Sequence, residues 1–287
     1  MPTEFDIIIP AKNEAASLAP LLEKLKSMYP QAGIIVVNDG STDATANICS
    51  EQGVTLITHP YSMGNGAAIK AGARVAKKDI LVFMDADDQH KPSDIQRLID
   101  TLLDGYDMAV GARSDKSHAS IARLAANTFY NRLASWMVGR KIEDLTSGFR
   151  AVRAEKFEEF IHLLPNGFSY PTTSTIAFFR AGYSVTYIPI EAQKREGKSH
   201  IRIVHDGIKF LLIIFRIGTL YSPLKLFLPV SLLHFLIGLG YYLYTFITSG
   251  RFTNMSALLF TMSIFIFLIG LISEQITMLL YQKRGRQ

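Results

Sequence analysis

The chain has 287 residues, 48% of them apolar, with a formal net charge of +5 and a single cysteine. That length accommodates one α/β domain plus an appendage, and the apolar share argues against a wholly water-soluble protein. Cys49 alone excludes an intrachain disulfide and is compatible with the cytoplasm.

Over residues 1–190, short β-branched runs alternate with amphipathic stretches, the pattern of a mainly parallel sheet covered by helices. Strands are expected at Phe5–Ile9, Ile34–Val37, Val54–Thr58, Ile80–Met84 and Met108–Ala112, with intervening helices beginning near Ala15, Ala44, Ala67 and Ser93. Met1-Pro2-Thr3-Glu4 leads straight into the first strand, so no signal peptide is expected. The turns Pro10-Ala11-Lys12-Asn13-Glu14, Asn38-Asp39-Gly40-Ser41 and Asp85-Ala86-Asp87 follow three of these strands. Open α/β sheets bind ligands beyond the carboxyl ends of their strands, so the three turns outline a nucleotide pocket. A helical stretch over 119–138, the segment Thr146-Ser147-Gly148-Phe149-Arg150, further helices and a last strand at Val185–Ile190 complete this part.

The apolar excess is concentrated in the last third. Residues 224–248 and 255–281 each exceed the ~20 apolar residues needed to cross a bilayer and lack a continuous polar stripe, so two membrane spans are expected. Pro229 predicts a kink in the first, and Glu274 a protein-facing carboxylate in the second. Between 201 and 222, Arg202, His205, Lys209 and Arg216 recur at helical spacing against Ile, Phe and Leu, an amphipathic interfacial helix. Residues 1–190 hold 19 Lys/Arg against 21 Asp/Glu, and the remaining 97 hold 11 against 4, so positive charge gathers beside the spans. The connection between the spans carries only Arg251, which places the first domain and both termini in the cytoplasm. The expected organisation is a domain over 1–200, a juxtamembrane helix over 201–222 and the spans with a basic tail over 223–287. No nucleic-acid partner is expected, and two isolated spans invite packing against another copy, a homo-oligomer.

Asp85-Ala86-Asp87 follows the apolar run Ile80–Met84, where a buried strand leaves the sheet. Residues two apart on extended chain face the same way, so Asp85 and Asp87 can approach one cation, with Gln89 adding a third oxygen. Such oxygens suit Mg²⁺ or Mn²⁺ bridging a diphosphate. By itself a D-x-D turn reads as a solvated strand end; its place after the fourth strand of this sheet turns the reading toward metal.

Ile9-Pro10-Ala11-Lys12-Asn13-Glu14, Val37-Asn38-Asp39-Gly40-Ser41-Thr42-Asp43, Gly64-Asn65-Gly66 and Met84-Asp85-Ala86-Asp87-Asp88-Gln89-His90 together resemble the GT-A glycosyltransferases. More narrowly they resemble the polyprenyl-phosphate glycosyltransferases, the group containing dolichol-phosphate mannose synthase. The resemblance implies a GT-A, Rossmann-like fold and inverting transfer of a sugar from a UDP- or GDP-sugar to undecaprenyl or dolichyl phosphate. It implies donor contacts from Pro10, Glu14, Asp39, Gly64, Gly66, Asp85 and Arg195, the last on a mobile loop closing over the diphosphate. Where the commoner family form has Lys, this chain has Asn65. Arg113 matches an arginine near the diphosphate or acceptor phosphate, and Arg123 with Asn127 a pair gripping the lipid phosphate. Asp87, Arg113 and Asp144 are the implied catalytic set. Asp144 orders sugar hydroxyls in this reading, although Glu143 or Asp144 could instead be the base that hydroxyl-acceptor enzymes use. A lipid phosphate is already ionised near neutral pH and needs no base. Rival readings are a processive or hydroxyl-acceptor membrane glycosyltransferase, a non-catalytic anchor subunit of the same fold, and a nucleotidyltransferase. The only tryptophan, Trp136, lies outside the Gln-x-x-Arg-Trp motif of the processive enzymes.

Overall fold

The computed structural model describes residues 3–113, 121–167, 170–191, 215, 218–219 and 221–282, with the side chains of 121–127 and 280–282 outside that description. The chain divides into two compact units, Met1–His200 and Ile201–Gln287.

The first unit is built on strands β1 (Asp6–Ala11), β2 (Gly33–Asn38), β3 (Thr55–Thr58), β4 (Ile80–Phe83), β5 (Met108–Arg113), β6 (Arg150–Arg153) and β7 (Val185–Ile190). Its helices are α1 (Ala15–Met28), α2 (Thr45–Glu51), α3 (Asn65–Val75), α4 (Asp94–Leu103), α5 (Ile121–Val138), α6 (Ala154–Glu158) and α7 (Tyr170–Arg180). The sheet order is β3-β2-β1-β4-β6-β5-β7. All strands run parallel except β6, which lies antiparallel between β4 and β5. The mainly parallel α/β sheet is thus present, with one strand that the sequence pattern did not reveal.

Strands β1, β2, β4 and β5 are buried on both faces, which is why they read as continuous apolar runs. Ile7, Ile9, Ile34, Val36, Ile80 and Val82 join Leu18, Leu21, Leu22 and Leu25 of α1 and Ile95, Leu98, Ile99 and Leu102 of α4 in one core. The α1 leucines recur at i, i+3, i+4 and i+7 and are fully buried, each contributing about 1.5–3 kcal/mol of burial. On the opposite face Gly72 of α3 packs on Ile8 and Val37, and Phe83 meets Phe157 of α6 and Tyr170 of α7.

The second unit contains α8 (Pro223–Ser249) and α9 (Asn254–Gln282), both long and apolar enough to cross a membrane. Pro223 starts α8, which continues through Pro229, and Gly250 ends it in the left-handed conformation at φ 60°. The helices pack as a hairpin joined by reciprocal bonds: Ser231 Oγ donates to the Ser263 carbonyl at 2.8 Å and Ser263 Oγ to the Ser231 carbonyl at 2.9 Å. Glu274 faces protein, as its position inside an apolar helix requires, and its Oε2 accepts the Leu224 N–H at 3.3 Å in the first turn of α8. The amphipathic helix expected over 201–222 lies for the most part outside the described residues.

Candidate functional site

The carboxyl ends of β1, β2, β4 and β5 share one sheet edge, and the antiparallel β6 brings the residues before it to the same edge. The turns after β1 and β2 are interlocked. Asn13, at φ 55°, accepts the Thr42 N–H at 2.8 Å on Oδ1 and donates its own N–H to Ser41 Oγ at 3.0 Å. Asp43 Oδ2 accepts the Ala15 N–H at 3.1 Å, capping α1 from the neighbouring turn. Pro10 and Glu14 therefore flank a rigid corner.

Asp39 is buried, and both its oxygens are engaged. Oδ1 meets His59 Nδ1 at 2.8 Å and the Met63 N–H at 2.7 Å, while Oδ2 accepts from Ser62 Oγ at 2.8 Å and the Gly64 N–H at 2.9 Å. Burial alone would raise its pKa; the hydrogen bonds from His59, Met63, Ser62 and Gly64 outweigh burial and bring it down to about 2. With about four acceptor positions filled, this carboxylate organises the 59–64 loop, and a ribose or base would have to displace one of those donors. Gly64 (φ 101°) and Gly66 likewise serve an internal close approach. A Cβ on Gly66 would lie 2.0 Å from the Pro165 carbonyl oxygen, and one on Gly64 2.6 Å from that of Asn166. The Gly66 and Ala67 N–H groups donate to the Gly167 and Asn166 carbonyls at 3.1 and 2.8 Å, so two donors at the start of α3 are met by the chain itself. In this structure the two glycines receive the 165–167 backbone.

Asp85, Asp87 and Gln89 lie partly exposed in the turn after β4, and Ala86 between the two aspartates is buried. The Gln89 N–H donates to Asp87 Oδ1 at 3.3 Å, and Asp88 turns the chain with φ 55°, a conformation Asp tolerates better than most residues. His90 stacks on Phe149 with centroids 4.9 Å apart and brings Nε2 to 3.9 Å from Asp85 Oδ2. Gly148 approaches so closely that a Cβ there would sit 3.0 Å from Asp85 Oδ2.

Across the edge, Arg113 at the end of β5 forks onto Asp144: Nε to Oδ2 at 2.8 Å and Nη2 to Oδ1 at 3.1 Å. Arg113 Nη2 also donates to Thr146 Oγ1 at 2.7 Å. Asp144 further accepts the Arg113, Thr146 and Ser147 N–H groups at 3.3, 3.1 and 3.1 Å. Burial would raise the Asp144 pKa, but the Arg113 guanidinium and these donors lower it below the ordinary carboxylate value. Burial works against the charged Arg113 in turn; Asp144, aided by the fields of Asp85 and Asp87, raises its pKa. Glu143 pairs with Lys141 at 2.9 Å. Asp144 is therefore not poised to take a proton near neutral pH.

Arg150, which the sequence reading gave no role, is fully buried at the start of β6. It donates to Ser147 O, to Pro171 O at 3.0 Å, to Ser174 Oγ at 2.9 Å and to Thr175 Oγ1 at 3.0 Å. Burial lowers its pKa, opposed by Tyr170, Tyr187, Asp144 and Asp85. Tyr170, whose hydroxyl donates to Gly148 O at 2.9 Å, places its ring 5.9 Å from the guanidinium. The run Thr172-Thr173-Ser174-Thr175 gave the available signal: four consecutive hydroxyls, all buried in α7, two of which accept from this cation. Arg123 and Asn127 sit on the α5 backbone, with side chains outside the described residues, and Arg195 lies outside them altogether.

Residues 6–161 match the model of Glycosyl transferase family 2, and residues 222–279 that of the GtrB C-terminal hairpin. The chain is 30% identical over 205 residues to the polyprenol monophosphomannose synthase of Mycolicibacterium smegmatis, covering 66% of this chain and 77% of that one. It is 27% identical to the dolichyl-phosphate hexose transferase of Haloferax volcanii, covering 68% and 85% respectively. The fold resembles that of glucosyl-3-phosphoglycerate synthase from Mycobacterium tuberculosis in complex with Mn²⁺ and uridine-diphosphate-glucose. The TM-score is 0.61, with 18% identity over 76% of this chain and 78% of that one.

Proposed function

The chain belongs to Glycosyl transferase family 2, and from that membership we propose that it transfers a sugar from a UDP- or GDP-sugar to a polyprenyl phosphate at the cytoplasmic face of a membrane. The observation that carries this reading is the commitment of Asp144 to Arg113, Thr146 and Ser147. A hydroxyl acceptor needs a base, and this carboxylate is held low and bonded; an ionised lipid phosphate can attack without one. The relatives named for polyprenyl-phosphate acceptors and the hairpin match of residues 222–279 support the same acceptor.

In this reading Pro10, Glu14 and Asp39 border the nucleoside, and Asp85, Asp87 and Gln89 hold Mg²⁺ or Mn²⁺. The donor set fits such a cation: hard carboxylate and amide oxygens, partly exposed at the strand end, in one turn. Among the described residues no group of three or more His, Cys, Asp or Glu is placed to hold a metal ion, so the set rests on two carboxylates and the Gln89 amide. When bound, a divalent cation there supplies charge stabilisation to the leaving nucleoside diphosphate. Arg113, with Arg123 and Arg195, offsets the charge of the acceptor phosphate and diphosphate so that the two anions can align, and Asn127 hydrogen-bonds the lipid phosphate. Asp144 positions Arg113. A single in-line displacement inverts the anomeric centre.

The test is a panel of sugar nucleotides assayed on the full chain with polyprenyl phosphate and Mg²⁺ or Mn²⁺. One donor is expected to yield glycolipid, and Asp87→Ala to abolish it. Modification of a free sugar or protein with no glycolipid from any donor would overturn the acceptor, and full activity of Asp87→Ala the metal site.

A further inference from the structure

Arg150 carries its charge where water does not reach: the residue is 0% exposed. Its Nη1 donates to Pro171 O, Ser174 Oγ and Thr175 Oγ1 and approaches Met108 Sδ at 3.7 Å, and its Nη2 donates to Ser147 O. Every one of these partners is neutral. A buried charge held by neutral groups alone is costly unless an opposite charge joins it. The setting adds to the positive potential. Pro171, Ser174 and Thr175 belong to the first two turns of α7, whose amino-terminal end is the positive pole of the helix dipole. Asp144 and Asp85, the carboxylates whose fields reach Arg150, have other duties: Asp144 holds the Arg113 fork, and Asp85 stands in the turn read above as a cation site.

Three buried polar atoms around this cation have no hydrogen-bond partner among the described residues: Arg150 Nε, Ser147 Oγ and Tyr187 Oη. Arg150 on β6 and Tyr187 on β7 are both in register with Val110 of β5, so their side chains leave the same face of the sheet on either side of one residue. Ser147 is held beside them, since Arg150 Nη2 takes its carbonyl. Native proteins leave few such groups unmet. Their chemistry is one-sided. Nε–H only donates, and each hydroxyl has a proton to give; burial raises the Tyr187 pKa, so that proton stays in place. A water molecule accepts two hydrogen bonds and brings no charge, whereas an anion accepts from all three groups and supplies the countercharge that the contacts of Arg150 lack.

We propose that Arg150 Nε, Ser147 Oγ and Tyr187 Oη bind a small monovalent anion of the chloride class, buried under the amino-terminal end of α7. The anion braces the 146–148 turn from behind. That turn runs from Thr146, bonded to Arg113, to Gly148, packed against Asp85, so one buried ion steadies both sides of the candidate site. Its occupancy requires neither sugar nucleotide nor lipid, and its test is independent of the sugar-transfer reading.

The full chain in detergent is melted at constant ionic strength while gluconate, too bulky for an interior site, is exchanged for chloride. The response is read as the difference between wild type and the double variant Ser147→Ala with Tyr187→Phe, which cancels the general effect of salt on folding. Once chloride exceeds its dissociation constant, each tenfold rise should favour the folded wild type by about tenfold and lift its Tm in steps that the double variant does not follow. Crystals soaked in bromide should show an anomalous peak within hydrogen-bond reach of Arg150 Nε, and crystals of Tyr187→Phe, a single variant that keeps the ring, a weaker one. Equal chloride responses in wild type and double variant would overturn the proposal, and a bromide peak beside such a melt would mark an adventitious ion only. Density of a water molecule at that position with no anomalous signal would overturn it as well.

Discussion

Replacing Asp144 by Asn separates a positioning carboxylate from a catalytic base. An Asn amide turned to keep its oxygen on the Thr146 and Ser147 N–H groups puts its NH₂ against Arg113 Nε, which now stands 2.8 Å from Oδ2, so a donor faces a donor. Removing one partner of a buried ion pair costs about 3–5 kcal/mol; because the Arg113 side chain retains 26% exposure and some hydration, the lower end applies, about 3 kcal/mol. A unit of about 200 residues loses roughly 2–4 °C of Tm per kcal/mol, which gives a fall of roughly 6–12 °C. The sign of the pH dependence follows from the lowered pKa. The stabilisation from Asp144 is complete above the ordinary carboxylate value of about 3.9 and is lost only as pH falls through the lower folded value. No limb from Asp144 should therefore appear in the pH–rate profile near neutrality. The assay measures kcat/KM for the lipid acceptor across neutral pH, with thermal melts, on Asp144→Asn, Arg113→Gln and the double variant. Expected are a lower Tm, a lowered kcat/KM with the shape of the profile unchanged, and a double variant little worse than the poorer single one. A vanished acid-side limb, about 10²–10⁴-fold loss of kcat, unchanged Tm and additive effects would mean that Asp144 is a base and that the base-free mechanism is wrong.

Arg150→Lys keeps the charge but cannot fork to Ser147, Pro171, Ser174 and Thr175 together; kcat should fall at least about tenfold with the chain still folded, and wild-type turnover would show that the fork does not position the 146–148 turn. Asp39→Asn should flatten the acid dependence of stability: the wild-type contribution of Asp39 is present above about pH 4 and lost as pH falls toward 2, and acid titrations of the melt that coincide for the two proteins would refute its network. Gly66→Ala drives a Cβ into the Pro165 carbonyl, a backbone group that cannot swing aside, so denaturant unfolding should show a loss of about 1–3 kcal/mol; a neutral substitution would contradict this packing.

Much of the fold was written in local patterns. Strands β1, β2, β4 and β5 are apolar runs because the middle of the sheet is buried on both faces, and α8 and α9 begin and end within a residue of the apolar segments that announced them. The D-x-D turn was legible for a related reason: two carboxylates directly after a buried strand can only be at its exposed end. Strand β6 was not legible. Arg150-Ala151-Val152-Arg153 has four residues with a cation at each end, and nothing local says that Arg150 is buried among the hydroxyls of a helix more than twenty residues away. The buried threonine run of α7 was obscured by the same dependence, since two of those hydroxyls accept from a distant guanidinium and Thr172 Oγ1 donates to the distant Leu145 carbonyl.

The sequence by itself determined six of the seven strands, which segments are apolar enough to span a membrane, and where acid and base accumulate, because burial periodicity and charge are properties of neighbours along the chain. Tertiary structure decided what each site residue touches. It reversed β6, bringing Thr146–Phe149 to the edge where Asp85 and Asp87 emerge; it bonded Asp39 to its own 59–64 loop; and it bound Asp144 to Arg113, 31 residues earlier. Hydrogen bonds and ion pairs act over a few ångströms of space regardless of separation in sequence, so the chemical role of a carboxylate is fixed only when folding chooses its partners.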